Sequence, residues 1–165
     1  MKILVVFYSR SGNTGRVAEE IRDRLECDIE EIIDTTNRSG PLGFIRSGRD
    51  ARNRKLTVLK DIINDPSNYD LLIIGTPLWA WHVSTPIRTY IHQNQANFNS
   101  VAFFCTAGGT NMDGAFNDMR ELCGVAPVET LGVFDKEIKD GSYKSKVTEF
   151  AKKIQFKMLN EKGIR

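Results

Sequence analysis

Cysteine and histidine are both scarce in this chain of 165 residues, which contains three cysteines and two histidines. The odd number of cysteines argues against a disulfide framework and favours a reducing compartment. No group of His, Cys, Asp or Glu has the spacing of a metal site, so we expect neither a bound metal nor catalytic residues of that kind. Asn111 replaces the arginine that a Cys-x5-Arg phosphatase loop starting at Cys105 would need. We therefore expect Cys105 to be a buried structural thiol.

Long apolar runs and an excess of charge of one sign are also absent. No stretch approaches the roughly 20 apolar residues that a membrane span needs. The apolar run from Ile3 to Tyr8 is too short for a signal peptide. The net charge at neutral pH is only +2, which excludes a strong polycation or polyanion. We expect one soluble, cytoplasmic domain over residues 1–165, as a monomer or a homodimer.

Buried strands alternate with amphipathic helices along the chain. Apolar runs rich in β-branched residues predict strands at Ile3–Tyr8, Ile29–Ile33, Leu71–Gly75, Val101–Cys105 and Val128–Val133. Apolar residues at helical spacing predict helices at Asn13–Glu26, around Ile87–Ile91, at Gly114–Leu122 and at Tyr143–Leu159. These repeated strand–helix units predict an α/β fold, a doubly wound five-stranded parallel sheet with helices on both faces.

The first predicted strand runs into a loop rich in hydroxyl groups, Ser9-Arg10-Ser11-Gly12-Asn13-Thr14, where a helix begins. Hydroxyls and free backbone amides at the positive end of a helix dipole favour an anion, such as one terminal phosphate. The loop has neither the Gly-Lys-Ser/Thr ending of a P-loop nor the Gly-x-Gly-x-x-Gly pattern of dinucleotide-binding folds. Ordinary helix capping by Ser11 or Asn13 is the alternative interpretation.

The loop pattern Ser9-x-Ser11-Gly12-Asn13-Thr14 resembles the phosphate loop of flavodoxins, which has the form Ser/Thr-x-Ser/Thr-Gly-x-Thr. The order of strands and helices is also similar to that family over nearly the whole chain. The resemblance implies the strand order 2-1-3-4-5 and an FMN cofactor. The FMN phosphate would bind Ser9, Ser11, Asn13 and Thr14. Arg10 belongs to the same loop but not to the motif, and we expect its side chain to point to solvent.

Two further loops follow the third and fourth predicted strands, at the edge of the sheet where open α/β folds bind ligands. They contain Thr76, Pro77, Leu78, Trp79, Ala80 and Trp81, and then Thr106, Ala107, Gly108 and Gly109. By resemblance to flavodoxins, Trp79 stacks on the flavin ring, and the main chain of the second loop binds the pyrimidine edge. Adjacent glycines would allow that close approach. Alternatively, the tryptophans of the first loop cap the core or form an interface. The glycines of the second loop would then form only a plain turn.

The sequence departs from the flavodoxin pattern in both loops. The stretch Ala107–Asn111 has no aromatic residue, whereas many flavodoxins place a tyrosine there, over the outer face of the flavin. That face is either open, or covered by Trp81 or by another molecule. Ala80 stands where many flavodoxins have glycine. By resemblance, the turn Trp79–His82 becomes type II′ on reduction, and the positive φ at Ala80 costs about 1–2 kcal/mol. We expect His82 to be a surface residue of this turn, the alternative being a histidine that titrates near the flavin.

Residues 34–68 form a long, basic crossover segment. Between Arg38 and Lys55, six cationic side chains stand against Asp50 alone, a net charge of +5 that leaves −3 for the rest of the chain. Either this is a solvated helix face, or it docks an acidic redox partner protein near the flavin edge. We expect no nucleic acid partner, because Phe44 is the only aromatic residue there that could stack on bases.

The function predicted from these features is electron transport through FMN, with the chain as a soluble, low-potential one-electron carrier. The flavin would carry out the redox chemistry, and the protein would set its potential and its access. The alternative is an oxidoreductase of the same fold, an FMN-dependent NAD(P)H:quinone-type reductase. Hydride transfer needs an open ring face, which the missing outer aromatic residue would leave.

Overall fold

The computed structural model describes the backbone of residues 1–163 and the side chains of residues 1–160. Its strands are β1 Ile3–Phe7, β2 Asp28–Glu31, β3 Leu71–Trp79, β4 His82–Val83, β5 Val101–Ala107 and β6 Thr130–Phe134. Five of them form a parallel sheet in the order β2-β1-β3-β5-β6, and β4 pairs antiparallel with the end of β3. The predicted order 2-1-3-4-5 is thus confirmed, because β5 and β6 are the fourth and fifth parallel strands.

Helices cover both faces of this sheet, as predicted. They are α1 Asn13–Leu25, α2 Gly40–Arg52, α3 Thr85–Asn94, α4 Asp113–Cys123, α5 Asp135–Asp140 and α6 Tyr143–Gly163, with 3₁₀ turns at Pro66–Asn68 and Gln95–Asn97. The predicted helices correspond to α1, α3, α4 and α6, within a few residues at each end. The helices α2 and α5 are additions that the apolar spacing did not reveal.

The continuous apolar runs of the parallel strands arise because both faces of the sheet are buried. Alternate residues of a strand point to opposite faces. Val5 therefore belongs to the core that α1 and α6 cover, together with Val17 and Val147. Its neighbour Val6 belongs to the core on the other face, together with Ile87 of α3.

The register of the central strands brings their carboxyl ends to one edge of the sheet. Phe7 at the end of β1 lies opposite Gly75 of β3, and Gly75 lies opposite Phe104 of β5. A Cβ on Gly75 would lie 1.9 Å from the Phe104 ring, so only glycine allows this packing. The loops that follow β1, β3 and β5 consequently meet at the same edge.

The strand β3 is four residues longer than predicted. Thr76 and Pro77 continue the pairing with β5, and Trp79 then pairs with His82 in a short hairpin. Local turn chemistry does not mark this hairpin, because its two-residue turn is Ala80-Trp81 rather than the usual Asn-Gly or Asp-Gly; only the resemblance to flavodoxins predicted a turn at Trp79–His82.

The long crossover between β2 and β3 is tied to the sheet by a buried carboxylate. Glu30 accepts hydrogen bonds from the backbone amides of Ile63 at 2.6 Å and Asn64 at 2.9 Å. An isolated antiparallel bridge joins Asp34 to Leu59. The helix α2 lies between these attachments in the chain, and it carries Arg46, Arg49 and Arg52, half of the six cationic residues between Arg38 and Lys55.

Candidate functional site

The loop after β1 is shaped by Ser9 and Gly12. Gly12 is the N-cap residue of α1 and has a φ of 97°, a left-handed conformation that glycine adopts without strain. The Ser9 Oγ accepts hydrogen bonds from the amides of Gly12 at 3.1 Å and Gly15 at 3.2 Å. The alternative of capping by Ser11 or Asn13 is therefore wrong, since neither side chain caps α1.

The start of α1 offers unused hydrogen-bond donors. Within the described residues, the amides of Ser11, Asn13 and Thr14 have no acceptor, and the exposed Ser11 hydroxyl makes no hydrogen bond. The Thr14 hydroxyl is buried and bonds to the Thr106 hydroxyl at 2.7 Å, which joins this loop to the end of β5. Free amides at the positive end of a helix dipole are the donor set that a phosphate group requires.

A cavity of about 360 Å³ opens beside these donors. It lies between the loop after β1 and the carboxyl ends of β3 and β5. Its lining residues are Arg10, Ser11, Asn13, Thr14, Phe44, Pro77, Leu78, Trp79, Thr106, Ala107, Gly108 and Asp135. Three segments that are far apart in sequence therefore converge on one cavity.

A second cavity of about 210 Å³ continues from the first. It shares Leu78, Ala107 and Gly108 with it, and it extends to Ala80, Trp81 and Thr110. Of the predicted site residues, Ser9, Gly12, Thr76 and Gly109 are not among the described residues that line either cavity. Thr76 instead joins two segments below the cavities, since its hydroxyl bonds to the Ser84 hydroxyl at 3.0 Å.

The two tryptophans of the hairpin have different environments. Trp79 is only 8% exposed. The rings of Tyr8 and Trp79 are nearly perpendicular, with 5.5 Å between their centroids, and the Arg38 guanidinium lies over the Trp79 ring at 5.3 Å from its centroid. Trp81 is 58% exposed at the hairpin tip. Trp79 is thus a fixed wall of the first cavity, and Trp81 a free side chain at the rim of the second.

The turn that joins β3 to β4 has positive φ at both central residues, 48° at Ala80 and 68° at Trp81. Positive φ at both positions identifies a type I′ turn. The turn limits predicted by resemblance are confirmed by the pairing of Trp79 with His82, and Ala80 already has the positive φ expected only after reduction. A Cβ on Gly114 of α4 would lie 2.1 Å from the Trp81 carbonyl oxygen. The hairpin tip therefore rests directly on α4.

A buried ionic network lies under this hairpin. Asp118 of α4 accepts hydrogen bonds from Arg88 at 2.9 Å and from the Val83 amide at 3.2 Å, and it contacts the His82 Nδ1 at 3.0 Å. Burial lowers the pKa of Arg88, and the Asp118 carboxylate opposes this effect. His82 lies at the end of this turn, as predicted, and its side chain is 28% exposed, but its contact with Asp118 was not predicted. No local pattern marked Asp118, which is 36 residues away.

Arg10 does not point to solvent, contrary to the prediction. Its guanidinium donates hydrogen bonds to the carbonyl oxygens of Arg38 at 2.9 Å and Gly40 at 3.0 Å, and it lies 5.5 Å from the centroid of the Phe44 ring. The two carbonyl oxygens and the face of the aromatic ring thus satisfy the cationic group of Arg10. Arg10 thus joins the loop after β1 to the start of α2.

Arg38 is not part of an exposed basic patch. It is buried between the carboxylates of Asp34, at 2.5 Å, and Asp50, at 3.1 Å. The exposed cations between Arg38 and Lys55 are Arg46, Arg49, Arg52, Arg54 and Lys55.

Asp135 is a lining residue that the sequence did not reveal. It begins α5 directly after β6, and its carboxylate accepts a hydrogen bond from the Asn13 side-chain amide at 3.0 Å. Glu137 fixes this turn by accepting from the Phe134 amide at 2.8 Å and pairing with Lys146 at 2.7 Å. Burial raises the pKa of Glu137, but the hydrogen bonds from Lys146 and Phe134 outweigh it, and the pKa lies below its usual value.

The cysteines are free and take no part in this site. Cys105 is fully buried in β5, as predicted, and burial raises the pKa of its thiol. Burial also raises the pKa of Cys123 to about 12 and that of Cys27 to about 11. In the described residues, no group of three or more His, Cys, Asp or Glu could hold a metal ion. None of the described helices is long and apolar enough to cross a bilayer.

Comparison with known proteins identifies the family of this chain. The family model for flavodoxin matches residues 2–151. This chain belongs to the flavodoxin family. No curated protein matches the sequence significantly. Solved structures, in contrast, do match it.

This flavodoxin resembles a flavoprotein from Lactobacillus acidophilus NCFM whose crystal structure contains FMN. The two are 26% identical with a TM-score of 0.71, and the match covers 86% of this chain and 98% of the other. A flavodoxin from the domain Archaea is 20% identical, with a TM-score of 0.55 and coverage of 94% and 99%. The Megasphaera elsdenii flavodoxin, in its two-electron reduced form, is 16% identical, with a TM-score of 0.55 and coverage of 92% and 98%. The last two similarities show the fold alone.

Proposed function

We propose that this flavodoxin binds FMN across the two connected cavities and acts as a one-electron carrier. The observation that carries the proposal is the convergence of the loop after β1 and the ends of β3 and β5 on one cavity, with unused amide donors at one end. The FMN expected from the resemblance agrees with the FMN complex of the Lactobacillus flavoprotein.

The phosphate end of the site fits its ligand by chemistry. The amides of Ser11, Asn13 and Thr14 and the Ser11 hydroxyl would donate to the phosphate oxygens. The Ser9 hydroxyl uses its lone pairs to hold the loop, and its proton remains for donation. Asp135 lines the cavity as an acceptor, which suits a hydroxyl of the ribityl chain better than the phosphate.

The remainder of the site would hold the flavin ring. Leu78, Ala107 and Gly108 line both cavities, so a ring lying across them would contact the hairpin on one side and the end of β5 on the other. Trp79 offers the aromatic wall, and the main chain after β5 offers polar groups to the pyrimidine edge. Bound FMN supplies the redox chemistry, and these residues bind and orient it.

The exposed cations of α2 and the residues after it support an acidic partner protein. Five exposed cations project from a segment in which a Cβ on Gly48 would lie 3.9 Å from the Ala80 Cβ: Arg46, Arg49, Arg52, Arg54 and Lys55. Their charge is therefore concentrated beside the hairpin, where it would steer a partner with a negative surface. Three unpaired cysteines fit a reducing, cytoplasmic compartment.

The experiment that tests this function begins with FMN titration of the apoprotein, followed by flavin fluorescence. The loaded protein is then reduced and mixed with ferricyanide, a one-electron acceptor, and separately assayed for NAD(P)H oxidation. We expect tight FMN binding, rapid one-electron oxidation and no NAD(P)H turnover. Absence of FMN binding would contradict the cofactor, and rapid NAD(P)H oxidation would contradict the carrier function.

A further inference from the structure

Phe44 of α2 is a large aromatic side chain at the mouth of the first cavity. It is 67% exposed, yet it lines the cavity together with Trp79 and the residues after β1. The stretch Ala107–Asn111, after β5, contributes no aromatic side chain to this site. A large exposed apolar group at the rim of a cavity is typical of a surface that a ligand covers.

The position of Phe44 is fixed by the loop that would hold the phosphate. The Arg10 guanidinium bonds to the carbonyls of Arg38 and Gly40 and lies against the Phe44 ring. A Cβ on Gly43 would lie 2.2 Å from the carbonyl carbon of Arg38, so the first turn of α2 packs tightly on the preceding segment. The start of the helix is therefore held beside the cavity.

Further contacts fix the rest of α2. Arg38 is buried between Asp34 and Asp50, and Asp50 belongs to α2 itself. Gly48, one turn after Phe44, lies against Ala80 of the hairpin. An aromatic ring on such a fixed element loses little conformational freedom when a ligand packs against it.

We propose that Phe44 packs against the bound flavin and supplies the aromatic cover that the loop after β5 lacks. This inference rests on the proposed FMN binding. The crossover helix thereby forms one wall of the cofactor site, in addition to carrying the basic residues. An aromatic contact of this kind changes affinity by roughly 2- to 12-fold. We expect the change in the dissociation rate, because the contact must break before the flavin leaves.

The test compares Phe44→Ala with Ile45→Ala, since Ile45 is the next residue, is 65% exposed, and is not among the residues that line the cavity. Both substitutions preserve charge and remove an exposed apolar side chain. The dissociation constants and dissociation rates of FMN and of riboflavin are measured from flavin fluorescence. Phe44→Trp serves as the rescue variant, and Trp81→Ala tests the other exposed aromatic side chain.

We expect Phe44→Ala to accelerate dissociation of FMN and riboflavin alike, because the contact involves the flavin and not the phosphate. Ile45→Ala should behave as the wild type, and Phe44→Trp should keep dissociation slow. If the wild type binds FMN but Phe44→Ala matches Ile45→Ala, the inference is overturned and the proposed function stands. It is also overturned if only Trp81→Ala accelerates dissociation. Failure of the wild type to bind FMN would overturn both.

Discussion

Two serines of the loop after β1 should have separable effects on stability and on phosphate binding. The Ser9 hydroxyl oxygen accepts hydrogen bonds from two backbone amides at the start of α1. Ser9→Ala should therefore destabilise the apoprotein by about 1–2 kcal/mol, the usual cost of a lost helix cap. Ser11 is exposed and makes no hydrogen bond within the described residues. Ser11→Ala should leave the stability of the apoprotein unchanged.

The substitution at Ser11 should instead weaken the binding of FMN. A hydrogen bond to a charged group contributes about 1.5–3 kcal/mol, so Ser11→Ala should raise the FMN dissociation constant by roughly 10- to 150-fold. Riboflavin, which has no phosphate, should bind the variant as it binds the wild type. Thermal denaturation and fluorescence titration measure the two quantities. Equal losses of FMN and riboflavin affinity in Ser11→Ala, or no loss of either, would refute the placement of the phosphate.

Three other predictions concern the basic surface, the turn after β6 and the hairpin. Ferricyanide should oxidise the reduced protein more slowly as the salt concentration rises. Replacing Arg46, Arg49 and Arg52 by Gln should slow this reaction and make its rate less dependent on salt. A cationic acceptor, hexaammineruthenium(III), is the control, and equal behaviour of the two acceptors would contradict steering by these charges. Glu137→Gln should destabilise the protein by about 1–2 kcal/mol at pH 7. The lowered pKa of Glu137 means that its contribution declines as the pH falls below about 4.5, so a difference in melting temperature that did not shrink over this acidic range would exclude the ionised carboxylate as the cause. Ala80 already has positive φ in the present turn, so only the strain that a change to type II′ would add can shift the potential. Ala80→Gly should raise the first one-electron reduction potential of the FMN complex by about 40 mV for each kcal/mol of that added strain. Spectroelectrochemical titration of both proteins measures this, and an unchanged or lower potential would contradict it.

The sequence by itself was enough for the parallel sheet and the loop after β1, and its resemblance to flavodoxins supplied the strand order. Buried strands and amphipathic helices show as local patterns of apolar residues, because burial on both faces requires continuous apolar runs. The loop Ser9–Thr14 is equally local, since the hydroxyls, the glycine and the helix start lie within six residues. The ends of the strands were predicted less well. The strand β3 extends to Trp79 because its last residues pair with β5 and β4.

Only the tertiary structure decided which side chains meet around the cavity. Asn13 and Asp135 are 122 residues apart in the chain, yet their side chains hydrogen-bond at 3.0 Å. Arg10 reaches the carbonyl of Arg38, 28 residues away. These contacts carry no local signal, because a charged or amide side chain in a loop has the same appearance whether it faces solvent or a distant partner.

The aromatic side chains show the same limit. The two tryptophans of the hairpin are separated by one residue, and no pattern distinguishes them, but pairing in the hairpin buries Trp79 and exposes Trp81. In the sequence, Phe44 is an apolar residue in a basic segment with nothing to mark it. It lines the cavity only because Arg10, Arg38 and their partners hold α2 beside that cavity. Local periodicity determines the strands and helices, whereas the composition of the site depends on long-range packing that only the folded chain defines.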